Sequence, residues 1–472
     1  MSVDTIVRLK KITINNLKNV ENGSVCLNSS SYAARGAEVL GIYGQNGSGK
    51  TALIDSLSLL RLLLSGSSIP AKYVNFISSG TDVCSLSYEF AIKDRDIPEY
   101  TAEYTANLRI IDNNKSDEIL LSTNPQNSRT IVVENEKLSA SINNDKTKAK
   151  KSVIMNTSSE KCVFEPKSKL DSVTNKNSDV LNDLIVVKKM SAKEAKSFIF
   201  SENAIDIIAK AKGYQWDVMK ILSRYGIGKL YILDASGSNI VGINGVGNSW
   251  FKNAACSISF IIASASIVDN MPLDIYKYTK DGVGSINDVL TQIIPGLTLE
   301  LTEARESLDK DGKQVCGYDL LSVRNGKKIP FRYESTGIKK IAASLIMLIS
   351  AYNDPSVTLA IDELDSGVFE YLLGEILKIF VESGKGQLIF TSHNLRPLEV
   401  LDKKSVCFTT VNPKQRFVKM TNVNANNNLR DFYYRDIVLG GQPETLYDST
   451  NSYKMALAFM TAGETGVENE EN

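Results

Sequence analysis

Gly44-Gln45-Asn46-Gly47-Ser48-Gly49-Lys50-Thr51 is the stretch on which the fold turns. It fits G-x-x-x-x-G-K-[ST], and its flanks suit that pattern. The apolar run Val39-Leu40-Gly41-Ile42-Tyr43 reads as a short buried strand, and Thr51 to Leu64 as a helix closed by Ser65-Gly66. An ordinary glycine turn does not need that strand before it and that helix after it. The arrangement makes a phosphate cradle: glycines let backbone N–H groups face an anion, and the helix N-terminus adds partial positive charge. In such a cradle Lys50 reaches the β- and γ-phosphates and Thr51 ligates Mg²⁺. ATP and Mg²⁺ are therefore the expected cofactors, with Gly44 through Thr51 as expected contacts.

Working outward, Leu359-Ala360-Ile361-Asp362-Glu363 ends an apolar strand on two carboxylates. Strand alternation sends the two side chains in different directions. Asp362 is expected to hold the magnesium through water, and Glu363 to polarise the attacking water. Paired acids after a strand also describe a helix start with an acidic first turn. Their company with the glycine loop favours the catalytic reading. Gly386 to Thr391 is a further buried strand, ending on Ser392-His393-Asn394, which places His393 where it can touch the γ-phosphate.

Ser335-Thr336-Gly337 precedes a strongly apolar helix running to Ser350. A plain N-cap accounts for the hydroxyl. The same groups could also serve as an anion site for the nucleotide of a second protomer. On the second reading Ser335 and Gly337 are expected to contact that nucleotide.

Composition narrows the rest. The chain has 472 residues, enough for two or three domains, and 54 basic residues balance 54 acidic ones, so any nucleic-acid site must be a local patch. His393 is the single histidine, which excludes HNH nuclease chemistry and histidine-rich metal sites. The six cysteines are scattered without a C-x-x-C pair, against a zinc site or a disulfide framework. The N-terminus lacks a signal-peptide pattern and the longest apolar stretch, Ala254 to Val268, is too short and serine-interrupted to span a bilayer, so a cytoplasmic protein with no membrane partner is expected.

Residues 6–14 alternate as a half-buried strand, and Ser85 to Lys93 with Tyr100 to Ile110 read as a hairpin. From 113 to 180 the chain is rich in Asn, Ser and Lys, with Lys146, Lys148, Lys150 and Lys151 crowded together. Helical spacing returns from Leu181 to Leu222 and from Trp250 to Met271. Ile286 to Ile294 reads as a short helix, Leu297–Glu303, Tyr318–Val323 and Lys328–Phe331 as strands, and Phe369–Val381 as a helix. The acidic end from Glu464 reads as a tail. The domains expected are 1–112 with the glycine loop, an inserted and partly helical region 113–284, 285–440 with the acidic strand and His393, and an extension 441–472.

With these motifs in this order the chain resembles ABC-type ATPases of the SMC, RecF and OLD-like group, particularly the AAA15 branch of bacterial anti-phage defence. The resemblance covers roughly 1–110 and 285–440. It implies an α/β fold: a P-loop NTPase head of ABC type, with a mixed central sheet, an antiparallel β subdomain and a helical insertion. It also implies roles: Gly44–Thr51 as Walker A, Asp362 and Glu363 as Walker B, Asp365 in the D-loop Leu364-Asp365-Ser366-Gly367, and His393 as the switch histidine. Ser335-Thr336-Gly337 would be a signature motif that lacks the LSGGQ form, and no Q-loop glutamine is identified.

Within the group, Ile12–Val20, the glycine loop and the segment from Asp362 to Glu370 look most like the ATPase subunit of the PARIS defence system. That family implies a homo-oligomer, at least a dimer and of higher order, holding a separate Toprim effector nuclease and answering a phage-encoded trigger protein. Residues 394–472 are too few for an appended Toprim domain, so the effector is expected on another chain. The alternatives are a DNA repair ATPase resembling RecF, with Lys146–Lys151 on DNA phosphates, and the ATPase of another defence system such as Septu. A transporter ATPase is disfavoured by the lack of any membrane-partner signal.

Overall fold

A computed structural model describes residues 5–27, 36–93, 99–112, 129–144, 147–211, 213–234, 268–421 and 428–464. The chain opens with β1 (Ile6–Leu17) and β2 (Val20–Cys26), a hairpin turning at Lys18-Asn19. β1 buries Val7 and Leu9, then Ile12 and Ile14. That phase change coincides with a register shift between Leu9 and Lys11 against β4 (Val83–Lys93), which lets one strand keep a single face in the core.

Between β2 and β4 come β3 (Glu38–Tyr43), the glycine loop and helix α1 (Lys50–Leu64). The helix packs on β1 at one side and on strands of the central sheet at the other, with thirteen of its fifteen residues buried. Each of its buried leucines contributes about 1.5–3 kcal/mol of transfer free energy. A helix apolar on all sides belongs between two layers, and this one is wedged there.

The region expected as an insertion departs from the sequence reading at both ends. After β5 (Glu99–Asp112), residues 129–156 form β6 (Arg129–Asn144) and β7 (Thr147–Asn156), which extend the N-terminal antiparallel sheet to the order β2-β1-β4-β5-β6-β7. Helices α2 (Lys167–Thr174), α3 (Ser178–Lys193), α4 (Glu202–Ile208) and α5 (Tyr214–Gly228) follow. The buried Glu136 carboxylate ties these layers together, accepting from Tyr104 Oη at 2.7 Å and from the Phe198 N–H at 2.7 Å. Then β8 (Leu230–Leu233) joins the central sheet beside β15 (Thr358–Ile361). The helix expected over Trp250–Met271 falls mostly outside the described residues, and its last part is strand β9 (Val268–Pro272).

A helix over Leu273–Ile293, longer than expected, leads into β10 (Leu297–Leu301), β11 (Arg305–Leu308), β12 (Gln314–Tyr318), β13 (Leu320–Arg324) and β14 (Lys327–Pro330). They form two small sheets, β10-β13-β14 and β11-β12-β9. The single strand expected from Tyr318 to Val323 is broken at Asp319, whose N–H turns to the Thr302 hydroxyl at 2.9 Å.

The helix Thr336–Asn353, β15, the helix Glu370–Ser383 and β16 (Gln387–Thr391) complete the nucleotide-type core with β17 (Val406–Thr409) and β18 (Phe417–Val418). The central sheet runs β18-β17-β3-β16-β15-β8, with every pair parallel except β17 with β18. Near the end, Ser452–Glu464 is helical, and the acidic residues beyond Glu464 lie outside the described residues. No described helix is long and apolar enough to cross a membrane. The five described cysteines are free.

Candidate functional site

Three neighbouring parallel strands, β3, β16 and β15, end on the same edge of the central sheet. Their carboxyl ends carry the glycine loop, Ser392-His393 and Asp362-Glu363 respectively. This edge is where open α/β sheets bind ligands, because the strands stop there and the helix N-termini begin. A cavity of about 300 Å³ lies at it, lined by Asn46, Gly47, Ser48, Gly49, Lys50, Thr51, Asp362, Glu363 and His393, with Lys18, Asn19 and Ala52.

The glycine loop needs its glycines. Gly47 and Gly49 have φ of 75° and 93°, and Gly49 is the left-handed N-cap of α1. A Cβ on Gly44 would meet Thr409 Oγ1 at 1.7 Å. Ser48 points inward, donating to the Gln45 carbonyl at 2.6 Å and meeting the Thr409 hydroxyl. Lys50 Nζ spans the loop, donating to the carbonyls of Gly44 at 2.8 Å and Gln45 at 3.0 Å. Gly44 and Gln45 thus hold the lysine without lining the cavity. Burial lowers the Lys50 pKa, and Asp362, Glu363 and Asp365 oppose that shift. Thr51 is exposed to the cavity.

Asp362 is buried at the end of β15, and Glu363 beside it has a left-handed backbone, φ 50°. The Thr391 hydroxyl donates to Asp362 Oδ1 at 2.5 Å and accepts from the Glu363 N–H at 2.7 Å. Lys340 Nζ donates to the Glu363 carbonyl at 2.5 Å, as does the Ser366 N–H at 2.9 Å.

Of the remaining candidates, His393 is exposed and lines the cavity, while Asp365 stands behind it. Asp365 Oδ2 accepts from the N–H groups of His393 at 3.2 Å and Asn394 at 3.0 Å. Ser335 and Gly337 are not brought to this cavity. Ser335 is exposed and caps its own helix, accepting from the Ile338 N–H at 3.3 Å. Gly337 is buried against Gly367.

Sequence reasoning missed the hairpin turn. Lys18 pairs with Asp55 and lies 4.2 Å over the Phe76 ring. Asn19 donates to the Gly47 carbonyl, and its own carbonyl accepts from Arg416 Nη2 at 2.6 Å. A basic residue and an amide in the tight turn after β1 were visible in the sequence, but nothing local tied them to a loop some thirty residues on. Thr391, Lys340 and Arg416 carried no signal of their own.

The Lys151 ammonium, in the lysine-rich run, is paired with Glu103, and Lys146 lies outside the described residues.

The family model for an AAA ATPase domain matches residues 8–396. No curated protein matches the chain. Among solved structures, the SMC head domain from Thermotoga maritima is 13% identical at a TM-score of 0.34, over 88% of this chain and 99% of that one. An Smc head bound to the C-terminal winged-helix domain of ScpA is 10% identical at 0.38, over 88% and 98%. The recombination mediator RecF of the RecFOR pathway is 13% identical at 0.36, over 89% and 99%. Likenesses this remote do not bear on activity.

Proposed function

The chain belongs to the AAA ATPase domain family, and we propose that it binds ATP with Mg²⁺ in the cavity at the β3-β16-β15 edge and hydrolyses it there. The observation that carries this reading is the convergence of the glycine loop, Asp362, Glu363 and His393 on one cavity from three adjacent strand ends. The residues fit the cofactors. Positive-φ glycines free the loop backbone to face the cavity, and Lys50, Thr51 and Asp362 all line it, Thr51 and Asp362 offering oxygens to a metal. Bound Mg²⁺ supplies charge neutralisation at the phosphates. Lys50 and Lys18 add positive charge from the protein, Glu363 orients and deprotonates a water, and His393 donates toward the terminal phosphate.

Ser335 and Gly337 do not line this cavity, and in this reading they serve the nucleotide of a second copy, so that the working unit is at least a dimer. ATP then strengthens the interface, and hydrolysis releases it. The resemblance of the glycine loop and the Asp362–Glu370 segment to the PARIS ATPase subunit supports a role in anti-phage defence. There the oligomer would hold a separate effector nuclease until a phage protein is sensed.

Lys50→Ala tests the first claim: it should abolish binding of a fluorescent ATP analogue while the fold persists by circular dichroism, and undiminished binding would sink it. The mass of the complex purified with the product of the neighbouring reading frame tests the second. A lone monomer in ATP would remove both oligomer and effector from the reading.

A further inference from the structure

Glu363 is a bulky, non-glycine residue in a conformation that L side chains rarely adopt, φ 50°. Such a residue persists only where its surroundings hold it, and they can be named here. Its N–H is taken by the Thr391 hydroxyl at 2.7 Å, and its carbonyl by the Lys340 ammonium at 2.5 Å together with the Ser366 N–H at 2.9 Å. Each peptide group flanking the Glu363 Cα thus meets a side chain of another element, one from the end of β16 and one from the helix Thr336–Asn353, and the second is held also by the local turn through Ser366 and by the Leu364 N–H on the Thr391 carbonyl at 3.0 Å.

We infer that Thr391 and Lys340 are positioning residues, a two-point clamp that holds the Glu363 backbone left-handed and so keeps its carboxylate on the cavity wall. This rests on the reading of Glu363 as the group that activates water. Thr391 has a second task in the same bond pattern. It accepts from Glu363 while donating to Asp362 Oδ1 at 2.5 Å, so one buried hydroxyl sets the geometry of both acids. A serine retains that chemistry and a valine, of the same shape, does not.

Lys340 brings a different consequence. It stands on the helix whose first turn carries Ser335 and Gly337, and its ammonium also reaches the Asp362 carbonyl at 3.3 Å. A shift of that helix would take away the Lys340 bond and leave the Glu363 carbonyl to the turn bond from Ser366 alone. The catalytic carboxylate of one nucleotide site is thereby tied to the seating of the helix that the dimer reading offers to the other site.

The test uses the full chain and the variants Thr391→Val, Thr391→Ser and Lys340→Met. ATP turnover is measured across ATP and Mg²⁺ concentrations, with affinity for a fluorescent ATP analogue measured separately. Thr391→Val and Lys340→Met should lower kcat about tenfold or more while KM and analogue affinity move less than about twofold, since misplacement by an ångström is costly only at the chemical step. Thr391→Val should also need more Mg²⁺ for half-maximal rate, and Thr391→Ser should recover most of kcat. Parental kcat in Thr391→Val and Lys340→Met overturns the clamp, as does a serine variant as impaired as the valine one. If Thr391→Val does not fold, Lys340→Met decides by the same kcat criterion. A parent protein without turnover overturns the hydrolysis reading and the clamp together; an active parent with unimpaired variants overturns the clamp alone.

Discussion

Gly337 and Gly367 touch backbone to backbone: a Cβ on Gly337 would lie 2.4 Å from the Gly367 carbonyl oxygen, and one on Gly367 2.4 Å from the Gly337 Cα. The start of the helix Thr336–Asn353 is therefore seated directly on the loop that follows Asp362 and Glu363. Gly337→Ala should force them apart, lowering stability by about 1–3 kcal/mol as other overpacking changes do. Denaturant unfolding measures it, and an unchanged midpoint would mean that the two backbones are free to separate.

Ser335 separates capping from any role toward a second nucleotide. Replacing an N-cap serine by alanine costs about 1 kcal/mol, whereas glycine costs only a few tenths. If the hydroxyl serves the nucleotide of a second copy, Ser335→Gly and Ser335→Ala should both lose ATP-driven association, although only the alanine variant loses stability. Sedimentation with and without ATP reads this, and full association by Ser335→Gly would leave the serine as a cap and nothing more.

Glu363 offers a pair of variants with opposite signatures. Glu363→Gln keeps the left-handed strain and should match the parent in stability, bind ATP and turn it over slowly. Glu363→Gly relieves the strain, so it should gain about 1 kcal/mol of stability while losing turnover. A glycine variant less stable than the parent would show that the clamp bonds, rather than the side chain, set the conformation at no strain.

The cysteines predict a labelling pattern. Burial pushes the thiols of Cys84 and Cys407 up to about 12, whereas Cys26 is exposed. Alkylation proceeds through the thiolate, so at pH 8 the folded protein should react at Cys26 and spare Cys84 and Cys407. Peptide mass spectrometry after iodoacetamide checks this. Rapid labelling of Cys407 would mean that β18 detaches from β17.

The parts of the site written in contiguous residues were legible in the sequence: the glycine loop, Asp362-Glu363 and His393, each following an apolar run of strand length. What was not legible depended on pairing across long separations. β8 is four apolar residues directly after a helix, and it becomes a sheet strand only through β15, more than a hundred residues later. β6 alternates, but Asn135 has φ 51° and the pairing with β5 shifts between Thr105 and Asn107. Ile131 and Val133 are buried before the bulge, and Leu138 and Ala140 after it, out of phase with them. A period-two search loses the strand at that point. Thr391 was read only as the last residue of a strand, because its partners are on β15 and in the turn beyond.

Among the described residues, β7 is the last strand of the antiparallel sheet, and it carries most of the lysine-rich run. A last strand presents unpaired backbone groups along its free side, a template onto which any stray extended chain could add. Lys148, Lys150 and Lys151 sit on that strand. Charged residues on an outer strand are one way in which sheets discourage such addition, and Lys151 is held there by its pairing with Glu103 of β5.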